Sequence, residues 1–291
     1  MVQTTIWVLK MQAVYILNDS CFYRRLCWFS ISMIRHYNKT IPIQILYICD
    51  NGRDHREIVN YNEADLGIPW FTREMFFEEI SKLNVQLNVV NDCDLGEENG
   101  FFCAQRQELV KVNGEDNLLI DCDTFIFDDI EPLFENLKYF DIIADKNEWG
   151  VHGGNLDIDG TFIYPFNSGV VLFKKDLLQQ YGAVVNEISL EIKHERNDIG
   201  KWYGEFLESK NENRLEKPAR EEIAFTCWVV KNNFKYRYFD PTEVQTVKLN
   251  SNTRIYHTMT QNWFDGWSKY FKGGKFCPPK KLHKRLFLKR K

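Results

Sequence analysis

Apolar and polar positions in the first half of the chain alternate between short strand patterns and longer helical patterns. Four mainly apolar segments have the length of strands: QAVYILN, IPIQILYICDN, NVQLNVVND and NLLIDCD. The segment CFYRRLCWFSISMIRHYN places Cys27, Ile31 and Ile34 on one face of a predicted helix, and GFFCAQRQELVKV predicts a second helix. This alternation predicts an α/β fold with a mostly parallel central sheet and helices on both faces.

The second half has a less regular pattern. The segments YFDIIAD, GTFIYPFNSGVVLFKK, KYRYFD and TRIYHT predict further strands, and residues 175–232 are mostly helical with a polar excursion over 193–218. The chain contains no internal repeat and no low-complexity segment. We therefore expect one domain with a regular first half and an irregular second half.

Composition places the chain among soluble globular proteins. Of its 291 residues, 44% are hydrophobic and 27% are charged, which is enough apolar material for a sizeable core. No apolar run approaches the roughly 20 residues that span a bilayer, and the first residues lack the features of a signal peptide. The eight cysteines form no CxxC pair, and several lie inside apolar segments. A reduced, cytoplasmic location is the simplest interpretation.

Charge is distributed unevenly along the chain. Residues 280–291, KKLHKRLFLKRK, hold seven Lys and Arg and no acid, so a net charge of −4 leaves −11 on residues 1–279. An acidic body argues against a nucleic-acid partner. The basic tail, with its interspersed leucines, predicts either peripheral contact with an anionic membrane or a solubilising end.

Two carboxylates, Asp121 and Asp123, stand at the end of the fourth predicted strand. Ligands of parallel sheets bind beyond the carboxyl ends of the strands, and two close carboxylates repel unless a cation lies between them. One alternative is a plain turn at the strand end. An EF-hand loop is excluded, because Ile126 occupies the position where that loop needs a glycine.

Two enzyme families place a carboxylate pair after an apolar strand. The segment LLIDCDT is similar to the DxDxT pattern of haloacid-dehalogenase phosphatases, in which Asp121 would be the nucleophile. That family has its motif near the start of the domain and an acidic GDxxxD-like motif downstream, which this chain lacks. The other family pattern is the mid-chain DxD of GT-A glycosyltransferases.

Three further segments decide between the two patterns. FNSGVVLF at 166–173 resembles the FN(S/A)GV strand of glycogenin and the bacterial lipopolysaccharide galactosyltransferases. RIYHTMTQNW at 254–263 resembles their late His-containing segment, and PAREEIAFTCWVV occupies the place of their DQD helix. Order and spacing agree over roughly residues 12–267, so the chain resembles this GT-A class.

The chain departs from the family pattern at two places. The family segment HxxGxxKPW is HTMTQNW here, without the glycine and the phosphate-binding lysine, and the DQD position is Arg220-Glu221-Glu222. Inverting GT-A families with an acidic pair near this place therefore remain an alternative.

The resemblance implies a GT-A fold with a metal-dependent glycosyltransferase activity. It implies one domain over 1–275, with a nucleotide-binding half (about 1–130) and an acceptor half (131–275), followed by a basic tail (276–291). Asp121, Asp123 and His257 would bind Mn²⁺ or Mg²⁺ against the diphosphate of a sugar nucleotide, with a UDP-sugar expected. Taken alone, His257 would be a structural histidine.

The resemblance also assigns residues to the donor. Asn18 and Asp19 would contact the nucleotide, although a plain turn is an equal alternative for them. Arg106 would face the donor or solvent, and Asp145 would accept hydrogen bonds from the donor sugar.

Three residues are candidates for the reacting centre: Asn167, Glu221 and Glu222. The alternative for Asn167 is a bulge beside Gly169. Adjacent helix residues point about 100° apart, so we expect only one of the two glutamates to face the site, as a general base or beneath the anomeric carbon. The alternative is that both are solvated helix charges.

The expected acceptor is a hydroxyl group of a glycan or glycoconjugate. Aromatic residues near the end of the chain would line an acceptor groove or belong to the core: Trp263, Trp267, Tyr270 and Phe271. The rival functions are a phosphatase and a catalytically inactive glycan-binding module.

Overall fold

The computed structural model describes residues 11–19, 21–49, 71–91, 105–146, 156–194, 219–246 and 252–257. The aromatic residues and the basic tail discussed above lie outside these ranges. The central feature is a seven-stranded sheet. Its strands, in spatial order, are β10 (Tyr236–Tyr238), β6 (Ile142–Lys146), β9 (Phe166–Phe173), β4 (Asp116–Ile120), β1 (Met11–Asn18), β2 (Ile43–Ile48) and β3 (Gln86–Val90).

The sheet is mostly parallel, as the sequence predicts. β1 pairs in parallel with β2 and β4, β2 pairs in parallel with β3, and β10 pairs in parallel with β6. Only β9 among these strands runs against its neighbours β4 and β6. Strands from both halves of the chain therefore share one sheet, while the boundaries of the predicted domain remain a prediction.

Helices cover both faces of the sheet. Side chains alternate along β1, so Tyr15 joins a core cluster with α1 (Cys21–Tyr37) and α2 (Arg73–Ser81). Its neighbour Val14 joins the cluster on the other face with α3 (Leu177–Lys193) and α4 (Ala219–Lys231). The predicted apolar face of α1, which includes Cys27 and Ile31, is buried. The α/β class is thereby confirmed.

One predicted helix differs from the structure. In the described part of GFFCAQRQELVKV, residues 105–107 are α-helical, but Glu108–Lys111 forms a 3₁₀ turn that ends before Val112. Such turns are common where an α-helix ends, because a tighter turn satisfies otherwise unpaired backbone groups. A second 3₁₀ helix, Glu131–Lys138, has a proline in its first turn.

A small second sheet lies at the carboxyl end of β4. It consists of β5 (Thr124–Ile126), β12 (Ile255–His257) and β11 (Val244–Thr246). β12 runs antiparallel to β5, and His257 lies opposite Thr124. A separate hairpin joins β7 (Leu156–Ile158) to β8 (Thr161–Ile163). Among the described residues, no helix combines the length and the apolar character that crossing a membrane requires.

Candidate active site

The two aspartates follow β4 at the point where the chain turns into β5. The backbone N–H of Asp121 donates to the carbonyl of Gly169 at 2.7 Å, which continues the pairing of β4 with β9 by one residue. Asp123 then directly precedes β5, whose antiparallel partner β12 ends at His257. Two strand pairings therefore bring a late histidine to the carboxylate pair.

The three side chains converge on one point. His257 Nε2 lies 3.3 Å from Asp123 Oδ1 and 3.8 Å from Asp121 Oδ2. One ligand atom from each residue lies within 4.8 Å of the other two. Neighbouring ligand atoms of an octahedral cation with bonds near 2.1 Å are about 3 Å apart. A small decrease in the distances between these three side chains would therefore allow them to bind Mn²⁺ or Mg²⁺. The oxygen and nitrogen donors fit such an ion.

The imidazole balances part of the negative charge. Burial alone would lower the pKa of His257, but the carboxylates of Asp123 and Asp121 raise that pKa to about 9. Burial also raises the pKa of Asp123, against the opposing effect of His257. A cation that binds here therefore replaces a proton on the histidine. The other ring nitrogen, Nδ1, is buried without a hydrogen-bond partner among the described residues.

Gly169 makes room for the histidine ring. A Cβ atom built on Gly169 would lie 2.0 Å from Cε1 of His257 and 2.6 Å from both ring nitrogens. Any larger residue would displace the imidazole. This is the physical reason for the glycine in the FNSGV segment, and sequence reasoning did not assign it to the site.

A cavity of about 180 Å³ opens beside the cluster. Eight predicted site residues line it: Asn18, Arg106, Asp121, Asp123, Asn167, Glu221, Glu222 and His257. Tyr23, Gln105, Ser168 and Gly169 also line the cavity and were not predicted. The structure therefore brings most of the predicted set together.

The two remaining predicted residues lie outside the lining of this cavity. Asp19 accepts hydrogen bonds from Arg24, Tyr47 and Arg73. Burial alone would raise the pKa of Asp19, but Tyr47 and the two arginines hold that pKa below its usual value. The Asp19 carboxylate therefore belongs to a buried ionic cluster, which is more than the plain turn that the sequence offered as an alternative.

Asp145 lies at the end of β6, next to the strand that carries Asn167. It accepts a hydrogen bond from the Thr246 hydroxyl and another from the N–H of Lys146 at 2.9 Å. The pairing of β6 with β9 is interrupted here, because Ala144 lies opposite Val171 while Asp145 lies opposite Asn167. The bulge that the sequence offered as an alternative is present.

Asn167 and Glu222 form a contact that faces the cavity. Asn167 Nδ2 donates to Glu222 Oε1 at 3.1 Å, while Asn167 Oδ1 accepts from the N–H of Gly169 at 2.9 Å. Burial, together with the neighbouring Glu221 carboxylate, raises the pKa of Glu222 to about 8. This glutamate can therefore hold or release a proton near neutral pH.

Glu221 and Arg106 line the cavity and belong to a buried network. Glu221 is 2% exposed and accepts hydrogen bonds from the hydroxyls of Ser168 and Tyr181. Arg106 is 4% exposed, and its Nε lies 3.5 Å from Glu221 Oε1. Burial alone would lower the pKa of Arg106, but the Asp121 and Glu221 carboxylates keep that pKa above its usual value.

Two alternatives and one expectation from the sequence are wrong. The two glutamates are not solvated, since Glu221 is buried and Glu222 is partly buried. Both line the cavity, although we expected only one to do so, and both belong to the first turn of α4. Arg106 does not face solvent.

The phosphatase alternative does not fit the local geometry. Thr124 follows Asp123 directly, one position earlier than the DxDxT spacing requires. Its hydroxyl donates to the carbonyl of Asp121 at 3.0 Å and is 2.8 Å from Ser30 Oγ, and Thr124 is only 2% exposed. The threonine therefore belongs to the core instead of the cavity.

No protein-family model and no curated protein matches the chain. Among solved structures, mouse xyloside xylosyltransferase 1 is 11% identical, with a TM-score of 0.49 over 86% of this chain and 98% of the other. The galactosyltransferase LgtC, solved with donor and acceptor sugar analogs, is 14% identical, with a TM-score of 0.46 over 95% and 100%. The glycosyltransferase GlyE of Streptococcus pneumoniae TIGR4 is 14% identical, with a TM-score of 0.48 over 93% and 66%. These similarities are too distant to assign an activity.

Proposed function

We propose that the chain is a metal-dependent GT-A glycosyltransferase. It transfers a sugar from a nucleoside-diphosphate sugar, which we expect to be a UDP-sugar, to a hydroxyl of a glycan or glycoconjugate. One observation carries the proposal: Asp121, Asp123 and His257 converge in the lining of a cavity that Glu222 and Asn167 also line. A divalent cation can stabilise the departing diphosphate, and a carboxylate that holds or releases a proton near neutral pH can act as general base.

The three-residue cluster would hold Mn²⁺ or Mg²⁺ through two carboxylate oxygens and His257 Nε2. When bound there, a divalent ion would act as a Lewis acid that neutralises the negative charge of the departing diphosphate, and as a template that orients the donor. Asp121 and Asp123 lie at the carboxyl end of β4, where ligands of parallel sheets bind.

Glu222 is the residue that we assign to the reacting centre. Its raised pKa allows it to accept a proton from an acceptor hydroxyl, as a general base does in an inverting reaction. In a retaining reaction the same carboxylate would lie beneath the anomeric carbon. In both cases the hydrogen bond from Asn167 fixes the orientation of the carboxylate.

Donor contacts form the next part of the proposal. Asn18 and Arg106 line the cavity and can reach a donor directly. Asp19 and Asp145 already accept hydrogen bonds from protein groups, so they would contact a donor with the lone pairs that remain. The cavity of about 180 Å³ is smaller than pockets that hold a whole drug-sized ligand, about 300–1,000 Å³, and would hold only part of a sugar nucleotide.

The cytoplasmic location, the domain boundaries and the membrane contact of the basic tail rest on the sequence. Residues 280–291 lie outside the described part of the structure, so the tail is tested by deletion. We expect deletion to leave donor hydrolysis intact and to weaken association with anionic vesicles, by about 1 kcal/mol for each cation near the surface. Equal vesicle binding by both forms would assign the tail a solubilising role.

A thermal-shift screen tests the proposed function. Nucleoside diphosphates and sugar nucleotides are added with and without Mn²⁺, and hits are followed by a transfer assay. A ligand at 100 times its dissociation constant stabilises a protein by about 2.7 kcal/mol, which is readily detected. Absence of mutual stabilisation by Mn²⁺ and every nucleotide would overturn the proposal. Release of phosphate from small phosphoesters would favour the phosphatase, and saccharide binding without Mn²⁺ or nucleotide would favour the glycan-binding module.

A further inference from the structure

A buried chain of contacts joins helix α3 to the first metal-binding aspartate. It begins at Tyr181, which is 1% exposed and donates its hydroxyl hydrogen to Glu221 Oε1. The hydroxyl of Ser168 donates to the other oxygen, Oε2. Both oxygens of Glu221 therefore have hydroxyl donors, and the carboxylate is held in one orientation.

Arg106 forms the next step in this chain. Its Nε lies 3.5 Å from Glu221 Oε1, and its Nη2 donates to Asp121 Oδ1 at 3.1 Å and to the carbonyl of Ser168 at 3.4 Å. A guanidinium group is planar and rigid, so the ion pair of Nε with Glu221 restricts the direction in which the neighbouring Nη2 points toward Asp121. The position of Glu221 therefore determines where Arg106 meets Asp121.

The two oxygens of Asp121 have different neighbours as a result. Oδ1 is the acceptor for Arg106, while Oδ2 is the oxygen nearest His257, 3.8 Å from Nε2. An aspartate can ligate a cation through either oxygen or through both. Here Arg106 reserves one oxygen and leaves the other for the ion.

Packing of α3 supports a specific placement of Tyr181. A Cβ atom added to the adjacent Gly182 would lie 3.1 Å from the carbonyl oxygen of Arg106 and 3.0 Å from the backbone N of Val110. The glycine therefore allows α3 to approach the turn that carries Arg106. Tyr181 itself packs against the rings of Phe173 and Phe225, which fixes its side chain.

We propose that Tyr181 is a positioning residue for the cation site, acting through Glu221 and Arg106 on Asp121. It does not touch the substrate; it holds Glu221 so that Asp121 offers a single oxygen to the ion. Glu221 is likewise a positioning residue, and Glu222 alone of the pair serves the reacting centre. The inference rests on the proposed function only in requiring a divalent cation at Asp121, Asp123 and His257.

The test measures Mn²⁺ itself, without nucleotide or transfer activity. Tyr181→Phe removes one hydroxyl and keeps the ring, and Mn²⁺ affinity is measured by titration calorimetry together with the electron paramagnetic resonance spectrum of bound Mn²⁺. The matched control is Tyr238→Phe, because the Tyr238 hydroxyl donates to the carbonyl of Tyr164, outside this network. Thermal unfolding of each variant is recorded in parallel.

We expect Tyr181→Phe to bind Mn²⁺ about tenfold more weakly with an altered spectrum, a size typical for loss of a group that orients a ligand. The control should bind as wild type does, whatever its unfolding temperature. Ser168→Ala removes the donor to the other Glu221 oxygen and should also weaken Mn²⁺ binding. This variant replaces Tyr181→Phe in the test if Tyr181→Phe does not fold. A folded Tyr181→Phe with wild-type affinity and spectrum would overturn the positioning role alone. Wild type that binds no Mn²⁺ would overturn both this inference and the proposed function.

Discussion

The imidazole of His257 lies directly over the backbone of Gly169, so closely that a Cβ atom at residue 169 would be 2.0 Å from Cε1 of the ring. The same glycine accepts the backbone hydrogen bond from Asp121 at 2.7 Å. One residue of β9 therefore positions two of the three groups that face the cation site. The absence of a side chain is what makes both contacts compatible.

Gly169→Ala is expected to weaken the cation site without unfolding the sheet. The added methyl must displace His257 from the carboxylates, and loss of a ligand orientation typically reduces metal affinity by about 10- to 100-fold. Calorimetric titration with Mn²⁺ measures this change. Gly114→Ala is a suitable control, because its methyl would meet the flexible end of the Asp176 side chain instead of the site. Unchanged Mn²⁺ affinity in Gly169→Ala would contradict the role assigned to the glycine.

The two glutamates of α4 should respond differently to the same substitution. Glu222→Gln keeps the acceptor for Asn167 and removes the ionisable group, so transfer should fall by roughly 10²- to 10⁴-fold with donor binding retained. Glu221→Gln leaves the buried Arg106 with less compensating charge and should lower the free energy of unfolding by about 1–3 kcal/mol.

Steady-state kinetics and denaturant titration of both variants measure these effects. Proton NMR of the first-formed product then distinguishes retention from inversion. Full activity in Glu222→Gln would remove it from the reacting centre.

Stability of the metal-free protein should fall as the pH rises through the titration of His257. The folded-state pKa of about 9 lies above the usual value of 6.5, so the stabilisation is complete below pH 6.5 and is lost as the pH approaches 9. We expect a loss of about 1–3 kcal/mol over this range, given 1.36 kcal/mol per pKa unit and some relaxation of the site. Urea titrations in EDTA at pH 6.5 and 9 measure it. His257→Gln should show a smaller decline, and an equal decline would assign the pH dependence to other groups.

Removal of the cation should stop transfer, and both aspartates should be needed to restore it. EDTA should abolish activity in wild type and Mn²⁺ should recover it. Asp123→Asn replaces a carboxylate oxygen by a weaker neutral ligand, so the variant should recover little activity at the same Mn²⁺ concentration. The assay follows sugar transfer against added Mn²⁺. Transfer at the full rate by Asp123→Asn in EDTA would exclude a catalytic cation at this site.

Asp123→Asn should also change stability without metal. The carboxylate pair repels, which by itself favours the neutral variant, but His257 compensates the pair below about pH 9. The advantage of Asp123→Asn over wild type in EDTA should therefore appear only at alkaline pH. Adding Mn²⁺ with UDP should reverse the order, because the ion interacts with both carboxylates.

The sheet could be predicted because its strands are buried on both faces. β1, β2 and β4 are mainly apolar, and each ends close to a polar residue such as Asn18 or Asp121. Such runs, alternating with helical patterns, are typical of a parallel sheet that is covered on both faces. The carboxyl ends of these strands then mark the binding edge. Asp121 and Asp123 were found by this route.

The small second sheet could not be predicted in the same way. β12 lies within TRIYHT, which predicts a strand, but β5 has only three residues, too short for a period-two pattern to be recognised. Their pairing depends on contacts between distant parts of the chain. Without that pairing, the sequence gives His257 a role only through its resemblance to a family segment.

The positioning network was also beyond sequence reasoning. On the periodicity of α3, Tyr181 is one more apolar residue on a buried face, and its ring is indeed packed in the core. Only the three-dimensional arrangement shows that its hydroxyl reaches Glu221. Ser168 and Gly169 lie within the recognised FNSGV segment, but the sequence of that segment does not indicate which side chains they contact.

The pairing of β5 with β12 has a consequence for how the protein acquires its cation. Thr124 and His257 are neighbours across this sheet although they are 133 positions apart in the chain. During synthesis both aspartates leave the ribosome long before the histidine, so the complete ligand set exists only after β12 has been made and has docked. Once formed, the site fastens both ends of the intervening segment. That segment carries β6, β9 and α4, and with them Asn167, Gly169 and Glu222, so the cation site closes a loop that contains other groups facing the same cavity.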